Sequence, residues 1–226
     1  MHAKPQGVPS VKTNAVLFDL DGVLVSTDEF HYRSWKRLCD EEGFAFFDHE
    51  FNHQFRGVAR MECVELLTKA SGKEFSIGQK SEIAERKNRY FIESLAAVTS
   101  DELLPGSLET LKDLRIRGVK TAVASNSRNA QTIIDRVGIG QLLDVVVDGF
   151  QIQNSKPDPE VFLLAASIVS VPPAECLVVE DAVAGIEAAQ RAGMKHIGIG
   201  TKERLPNAAI VIPDLSAISV DDLLRL

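Results

Sequence analysis

An α/β fold, a doubly wound parallel sheet with an inserted all-helical cap domain, is what this 226-residue sequence predicts. Two observations carry the expectation. Short apolar runs alternate with segments of helical spacing through most of the chain, the pattern of a parallel sheet covered by helices. Between residues 28 and 99 that alternation stops, and amphipathic stretches follow one another with no strand between them.

Residues 1–12 carry Pro, Gly and Lys and no apolar core, so they read as a frayed tail rather than a signal peptide. The first strand is Val16-Leu17-Phe18, and it runs into Asp19-Leu20-Asp21-Gly22-Val23. Glu29 to Glu42, Arg60 to Ala70 and Gln79 to Ala97 then read as helices. This insertion leaves the first strand at its carboxyl end, where open α/β sheets bind ligands, so it is a candidate lid. Further strands are expected at Lys120 to Ala124, Val145-Val146-Val147, Leu177-Val178-Val179 and His196 to Ile199. Gly118, Gly138 and Gly193 each close a helical stretch. The division is a sheet domain of residues 13–28 and 100–226, with a cap of residues 29–99.

With 45% hydrophobic residues the chain can bury a full core. A net charge of -7 without a basic cluster argues against nucleic acid or an anionic membrane as partner. A small anionic substrate would therefore need a local cation. Cys39, Cys63 and Cys176 are odd in number and widely spaced, which suggests neither disulfides nor a zinc site and favours a reducing cytoplasm. The longest apolar stretch, Val161 to Val171, is too short to span a bilayer. No exposed heptad calls for a partner chain, so a monomer is the expected state.

Side chains two apart on a strand share a face, so Asp19 and Asp21 can address one bound atom. A hairpin turn is the competing reading of Asp21-Gly22. A calcium loop fails, because Leu24 and Phe30 stand where it requires Gly and Glu. The second strand ends in Ser125-Asn126-Ser127-Arg128-Asn129, residues that hold phosphate at a helix start or simply cap the helix; both readings stand. Lys156, in a loop stiffened by Pro157 and Pro159, is either a solvated lysine or a fixed countercharge. Glu180-Asp181 ends a later strand, and Asp181 could merely cap the following helix. Crowding four carboxylates at one sheet edge calls for cations, since two charges 4 Å apart repel by about 4 kcal/mol at an effective dielectric near 20. Oxygen-only donors point to Mg2+.

An Asp-x-Asp, a Ser, a Lys and an acidic pair, in this order, resemble the four motifs of the haloacid dehalogenase superfamily, a Rossmann-like core. The resemblance implies that Asp19 is the nucleophile forming an aspartyl phosphate and Asp21 the general acid/base. It also implies that Asp19, the Asp21 carbonyl and Asp181, assisted by Glu180, hold Mg2+, with Ser125, Asn126 and Lys156 around the phosphoryl group.

The cap narrows the likeness. Ser26-Thr27-Asp28-Glu29-Phe30-His31-Tyr32-Arg33-Ser34-Trp35-Lys36, Arg56-Gly57-Val58-Ala59-Arg60 and Arg86-Lys87-Asn88 resemble the β-phosphoglucomutase family. That implies Thr27 and His31 at the hinge near Asp21, Arg60 on the phosphate distal to the transfer site, and Lys87 on the sugar. Gly57, Trp35, Ser127, Arg128 and Asn129 would line the substrate site. Packing is the competing role for His31 and the better one for Trp35, and a solvated face is the competing place for Lys87. Val25, Ser26, Asn126 and Cys63 depart from the family pattern and would retune the sugar pocket. The activity implied is Mg2+-dependent interconversion of β-glucose 1-phosphate and glucose 6-phosphate, primed by β-glucose 1,6-bisphosphate. A sugar-phosphate phosphatase on the same core is the alternative, and a non-catalytic sugar-phosphate-binding protein a more distant one.

Overall fold

The apolar run after Asn14 forms the central strand, β1 (Ala15–Phe18), in a computed structural model that describes residues 12–55 and 58–226. The expected tail, apart from Lys12, and Gly57 lie outside the described residues. β1 is fully buried, as the middle of a parallel sheet covered on both faces must be.

Helices α1 (Asp28–Glu42), α2 (His49–Asn52), α3 (Arg60–Ser71) and α4 (Ile77–Ser94) follow, with no intervening strand among the described residues. α1 carries Asp28 and Glu29 in its first turn, where carboxylates complement the positive end of the helix, and it stops at Gly43 with φ 70°. α4 begins two residues before the expected Gln79, because Ser76 and Gln79 form a reciprocal capping box. Its last turn, Leu95–Ala97, tightens to a 3-10 helix. α2 was not expected: it is one turn, held by Asp48 accepting from the Phe51 amide, and too short to show a period. Trp35, Leu38, Phe47, Phe55, Leu67 and Ile83, from these helices and the loops beside α2, close a hydrophobic core separate from the sheet's.

The remaining elements alternate as far as β5 and then add a strand and a helix: α5 (Ser107–Ile116), β2 (Lys120–Ala124), α6 (Ala130–Val137), β3 (Val145–Val147), α7 (Glu160–Ile168), β4 (Cys176–Glu180), α8 (Val183–Arg191), β5 (Lys195–Ile199), β6 (Val211–Ile212) and α9 (Val220–Arg225). Among the described residues six strands lie in the order β3-β2-β1-β4-β5-β6, every pair parallel. The two-residue β6 escaped the sequence reading for want of length.

Alternation along the strands splits the core between two faces. Val16, Phe18, Val123 and Val179 face one hydrophobic cluster, and Leu17, Ala122, Ala124 and Val178 face the other. Phe91, Leu95 and Val98, at the exit from the helical segment, insert into the first cluster. They anchor that exit to the sheet. Strand order reverses at β1, which pairs β2 on one side and β4 on the other. A crevice at the carboxyl ends of those three strands is the topological binding site. Asp19, Ser125 and Glu180-Asp181 all emerge there.

Candidate active site

The amide of Asp19 donates to the Val179 carbonyl at 2.9 Å, which carries the β1 ladder one residue past the strand. Gly22 then turns the chain at φ 85°. A Cβ there would lie 2.4 Å from Asp181 Oδ2, so only glycine lets this turn close against the acidic pair. Thr27 is fully buried and donates its amide to one Asp21 carboxylate oxygen and its hydroxyl to the other, each at 2.7 Å. Burial nevertheless raises Asp21 to about 6, against those two bonds. One third of its side chain stays open to the cleft (33%).

Lys156 Nζ donates to Asp19 Oδ1 at 2.5 Å, to Glu180 Oε2 at 2.9 Å and to the Ala124 carbonyl at 2.9 Å. Its three protons are thus all placed. Burial works against the ammonium, but Asp19 and then Glu180 outweigh it, and the pKa is raised. Asn126 accepts from the Lys156 amide at 3.2 Å and fixes the lysine's backbone. Burial pushes Glu180 upward while Lys156 pulls it down. Its carboxylate also accepts the Asp181 and Ala182 amides at 3.1 and 3.0 Å. Three donors on one carboxyl favour the ionised form, so Lys156 and Glu180 form an ion pair. Asp181 is pushed to about 8 by burial, then by Glu180, Asp19 and Asp21; Arg204, 3.9 Å away, opposes weakly.

At the end of β2, the Ser125 hydroxyl accepts from the Ser127 amide at 3.2 Å and the Ser127 hydroxyl accepts from the Asn129 amide at 3.1 Å. α6 starts only at Ala130 and takes no side-chain cap. Neither Ser125 nor Asn126 is therefore a cap of that helix.

From the cap side, His31 stacks on Phe91 with ring centroids 3.9 Å apart, its Nε2 3.9 Å from Asp21 Oδ2. Its Nδ1 lies 2.7 Å from Lys87 Nζ. Lys87 is only 3% exposed, which removes the solvated-face reading. Burial, then Arg60, lowers it to about 7. Burial and Lys87 hold His31 well below the usual imidazole range, so Nδ1 accepts from the lysine. Arg60 opens α3 and is lowered by burial and by the neighbouring charge of Arg128. Among the described residues no carboxylate pairs with it. Asn129 Nδ2 reaches Asn88 Oδ1 at 3.4 Å, a bridge from the sheet to α4. Trp35 is not brought to the cleft surface: it is 3% exposed, edge-on to Phe55 at 5.0 Å, with Lys87 Nζ 5.1 Å from its ring. Cys63 is buried in the same core, its thiol pushed up to about 12 by burial.

The family profile of haloacid dehalogenase-like hydrolases matches residues 13–193. The chain belongs to that family. It is 35% identical over 209 residues to a β-phosphoglucomutase of Bacillus subtilis, 92% of either chain. It is 32% identical over 186 residues to a phosphorylated carbohydrates phosphatase of Thermotoga maritima, covering 81% of this chain and 83% of that one. The crystal structure of β-phosphoglucomutase from Clostridium difficile superposes with a TM-score of 0.85 at 33% identity, over 93% of this chain and 95% of that one. Relatives of both kinds leave the mutase or hydrolase outcome to the site itself.

In this chain, oxygens of Asp19, Glu180 and Asp181 lie within 4.8 Å of one another. The set fits a hard divalent cation: all donors are carboxylate oxygens, Gly22 leaves the space beside Asp181 free of a Cβ, and mutual repulsion burdens Asp181. The grooves of about 410 and 820 Å³ on the cap, lined by residues such as Phe46 and His53 or Glu62 and Lys69, share no residue with this cluster. Sequence reasoning missed Gly185, where a Cβ would lie 1.9 Å from Glu180 Oε2. An isolated glycine inside a helical stretch was the available signal.

Proposed function

We propose that this enzyme is a Mg2+-dependent β-phosphoglucomutase that interconverts β-glucose 1-phosphate and glucose 6-phosphate. The observation that carries the reading is the cationic wall facing the aspartates. Arg60, without a carboxylate partner among the described residues, is crowded by Arg128 and by the buried Lys87. A hydrolase needs one phosphate site, already provided by Lys156 and the Ser125 loop. A second set of cations across the cleft suits a second phosphate, held bidentately by a guanidinium.

Asp19 attacks the phosphorus of one phosphate of β-glucose 1,6-bisphosphate, and the bond to that sugar oxygen breaks as the aspartyl phosphate forms and a glucose monophosphate is released. Asp21, raised to about 6, gives its proton to that leaving oxygen. In the return step it takes a proton from the free 1- or 6-hydroxyl of a glucose monophosphate, which attacks phospho-Asp19 and regenerates the bisphosphate. β-Glucose 1,6-bisphosphate is the intermediate and primer. Thr27 holds the Asp21 carboxyl through both oxygens, and Lys156 offsets charge on the nonbridging oxygens. Mg2+, held by Asp19, Asp181 and the Asp21 carbonyl with Glu180 in support, supplies further charge neutralisation when bound. Residues 29–99 act as the lid that excludes water. Three buried free cysteines suit a cytoplasmic enzyme, and a monomer is sufficient, because one chain carries the whole constellation.

The 32% identity to a phosphorylated carbohydrates phosphatase favours a second reading, hydrolysis of sugar phosphates on the same core. The deciding experiment supplies β-glucose 1-phosphate, Mg2+ and a trace of the bisphosphate, and follows glucose 6-phosphate and free phosphate together. Glucose 6-phosphate with little free phosphate is the mutase result. Free phosphate equal to substrate loss is the hydrolase result.

A further inference from the structure

A lone exposed phenylalanine requires no explanation, but Phe150, 72% exposed, stands on a turn tied down from several sides. In Asp148-Gly149-Phe150-Gln151 the Phe150 amide donates to Asp148 Oδ1 at 2.9 Å, the Gln151 amide to the Asp148 carbonyl at 3.0 Å, and the Asp148 amide to Gln151 Oε1 at 2.9 Å. The turn is seated on the loop after β2. The Gly149 amide donates to the Ser127 carbonyl at 3.2 Å, and a Cβ at position 149 would lie 2.4 Å from the Asn126 carbonyl oxygen. Gly149 is therefore what lets the two loops touch.

That seating delivers two contacts to one side chain. Arg128 Nε donates to the Gly149 carbonyl at 3.4 Å, and its guanidinium lies 5.4 Å from the centre of the Phe150 ring. Arg128 is otherwise exposed, and Arg60 across the cleft repels it. A free arginine there would swing into water and lose its rotamer freedom on binding an anion. We propose that Phe150 is a positioning residue: its ring holds Arg128 toward the cleft and so sets the affinity for the second anionic group of the substrate. The ligand's identity rests on the sugar-phosphate reading above; the hold on Arg128 does not.

The test follows the Arg128 Nε–H resonance of the full-length, nitrogen-labelled protein, assigned by its loss in R128K. In F150A and F150L the signal is expected to move to the averaged position of a free arginine, and F150W is expected to keep it in place. With β-glucose 1-phosphate, F150A should raise KM about two- to fivefold at unchanged kcat, the range that a cation–π contact at an exposed site allows. F150W should restore it. F150A with a wild-type Arg128 signal, or with the signal lost and KM unchanged, overturns the proposal. A wild-type enzyme inactive on glucose phosphates sinks the sugar reading alone, because the Arg128 resonance still decides the role of Phe150.

Discussion

Replacing Thr27 by valine removes one hydroxyl and leaves the shape and the backbone amide, so it isolates a single bond to the proposed acid/base. The hydroxyl donates to Asp21 Oδ2 at 2.7 Å and stabilises the ionised carboxylate. A bond to a charged group contributes roughly 1.5–3 kcal/mol, which would be one to two pKa units at about 1.4 kcal/mol each. With 33% of the Asp21 side chain open to the cleft, screening leaves about one unit. The Thr27→Val enzyme should therefore show the pH limb for loss of protonated Asp21 moved about one unit to higher pH from its wild-type position. The assay is single-turnover phosphorylation of Asp19 by β-glucose 1,6-bisphosphate at fixed Mg2+ across pH 5–9. Thr27→Ser keeps the hydroxyl and should track the wild type. Superimposable profiles for Thr27→Val and wild type would refute the assignment of Asp21 as the proton donor.

Asp181 and Asp21 are raised to about 8 and about 6, so their contribution to stability is complete below the unfolded value near 4 and is lost as pH rises through the folded values. In chelator the melting temperature should fall between pH 4 and 8, and added Mg2+ should raise it more at pH 8 than at pH 5; a Mg2+ effect independent of pH would contradict the site. Arg60→Ala should raise KM at least tenfold, about 1.4 kcal/mol or more for a lost charge-assisted contact, and increase the share of turnover ending in free phosphate, read from both products in one assay. Gly185→Ala forces a methyl into Glu180 and should cost about 1–3 kcal/mol in urea unfolding, the usual cost of overpacking; unchanged stability would mean the Glu180 side chain can move away freely. Sugar-phosphate binding should take up a fraction of a proton near pH 7, because an anion beside Lys87, now lowered to about 7, favours its ammonium; titration calorimetry in buffers of different ionisation heat measures it.

The strands and their order of arrival at one sheet edge were legible because burial on both faces leaves unbroken apolar runs such as Ala15–Phe18 and Leu177-Val178-Val179. β6 and α2 were not, since two and four residues are too few to carry a period. At the site, residue types and spacing pointed to Asp19, Asp21, Lys156 and Glu180-Asp181. Which atoms meet depends on distances between segments over a hundred residues apart, as for Lys156 and Asp19. Lys87 shows the limit most clearly. Its flanks, Arg86 and Asn88, read as a polar helix face, yet α4 turns this one lysine inward among His31, Phe91 and Trp35. Phe150 left no sequence signal at all, because a turn phenylalanine has no pattern until its neighbour across space is known.

The two halves of the cleft are charged in opposite senses, and each half is ill-satisfied in isolation. On the sheet side, buried carboxylates outnumber Lys156, and Asp181 is pushed to about 8 as a result. On the cap side, Arg60 lowers Lys87 and is itself lowered by Arg128 across the cleft, each in addition to burial. A divalent cation would relieve the first imbalance and a dianionic phosphate the second. A ligand that stabilises one arrangement of two bodies shifts the population toward it by its differential affinity. On the mutase reading, a second phosphate between Arg60 of the cap and Arg128 of the sheet domain would also draw the cap onto the sheet. A sugar with one phosphate, once that phosphate has moved to Asp19, would leave the cap cations bare and the cleft free to admit water. Mutase and phosphatase then differ less in the aspartates, which serve both, than in whether the departing sugar still carries a group for Arg60 to hold.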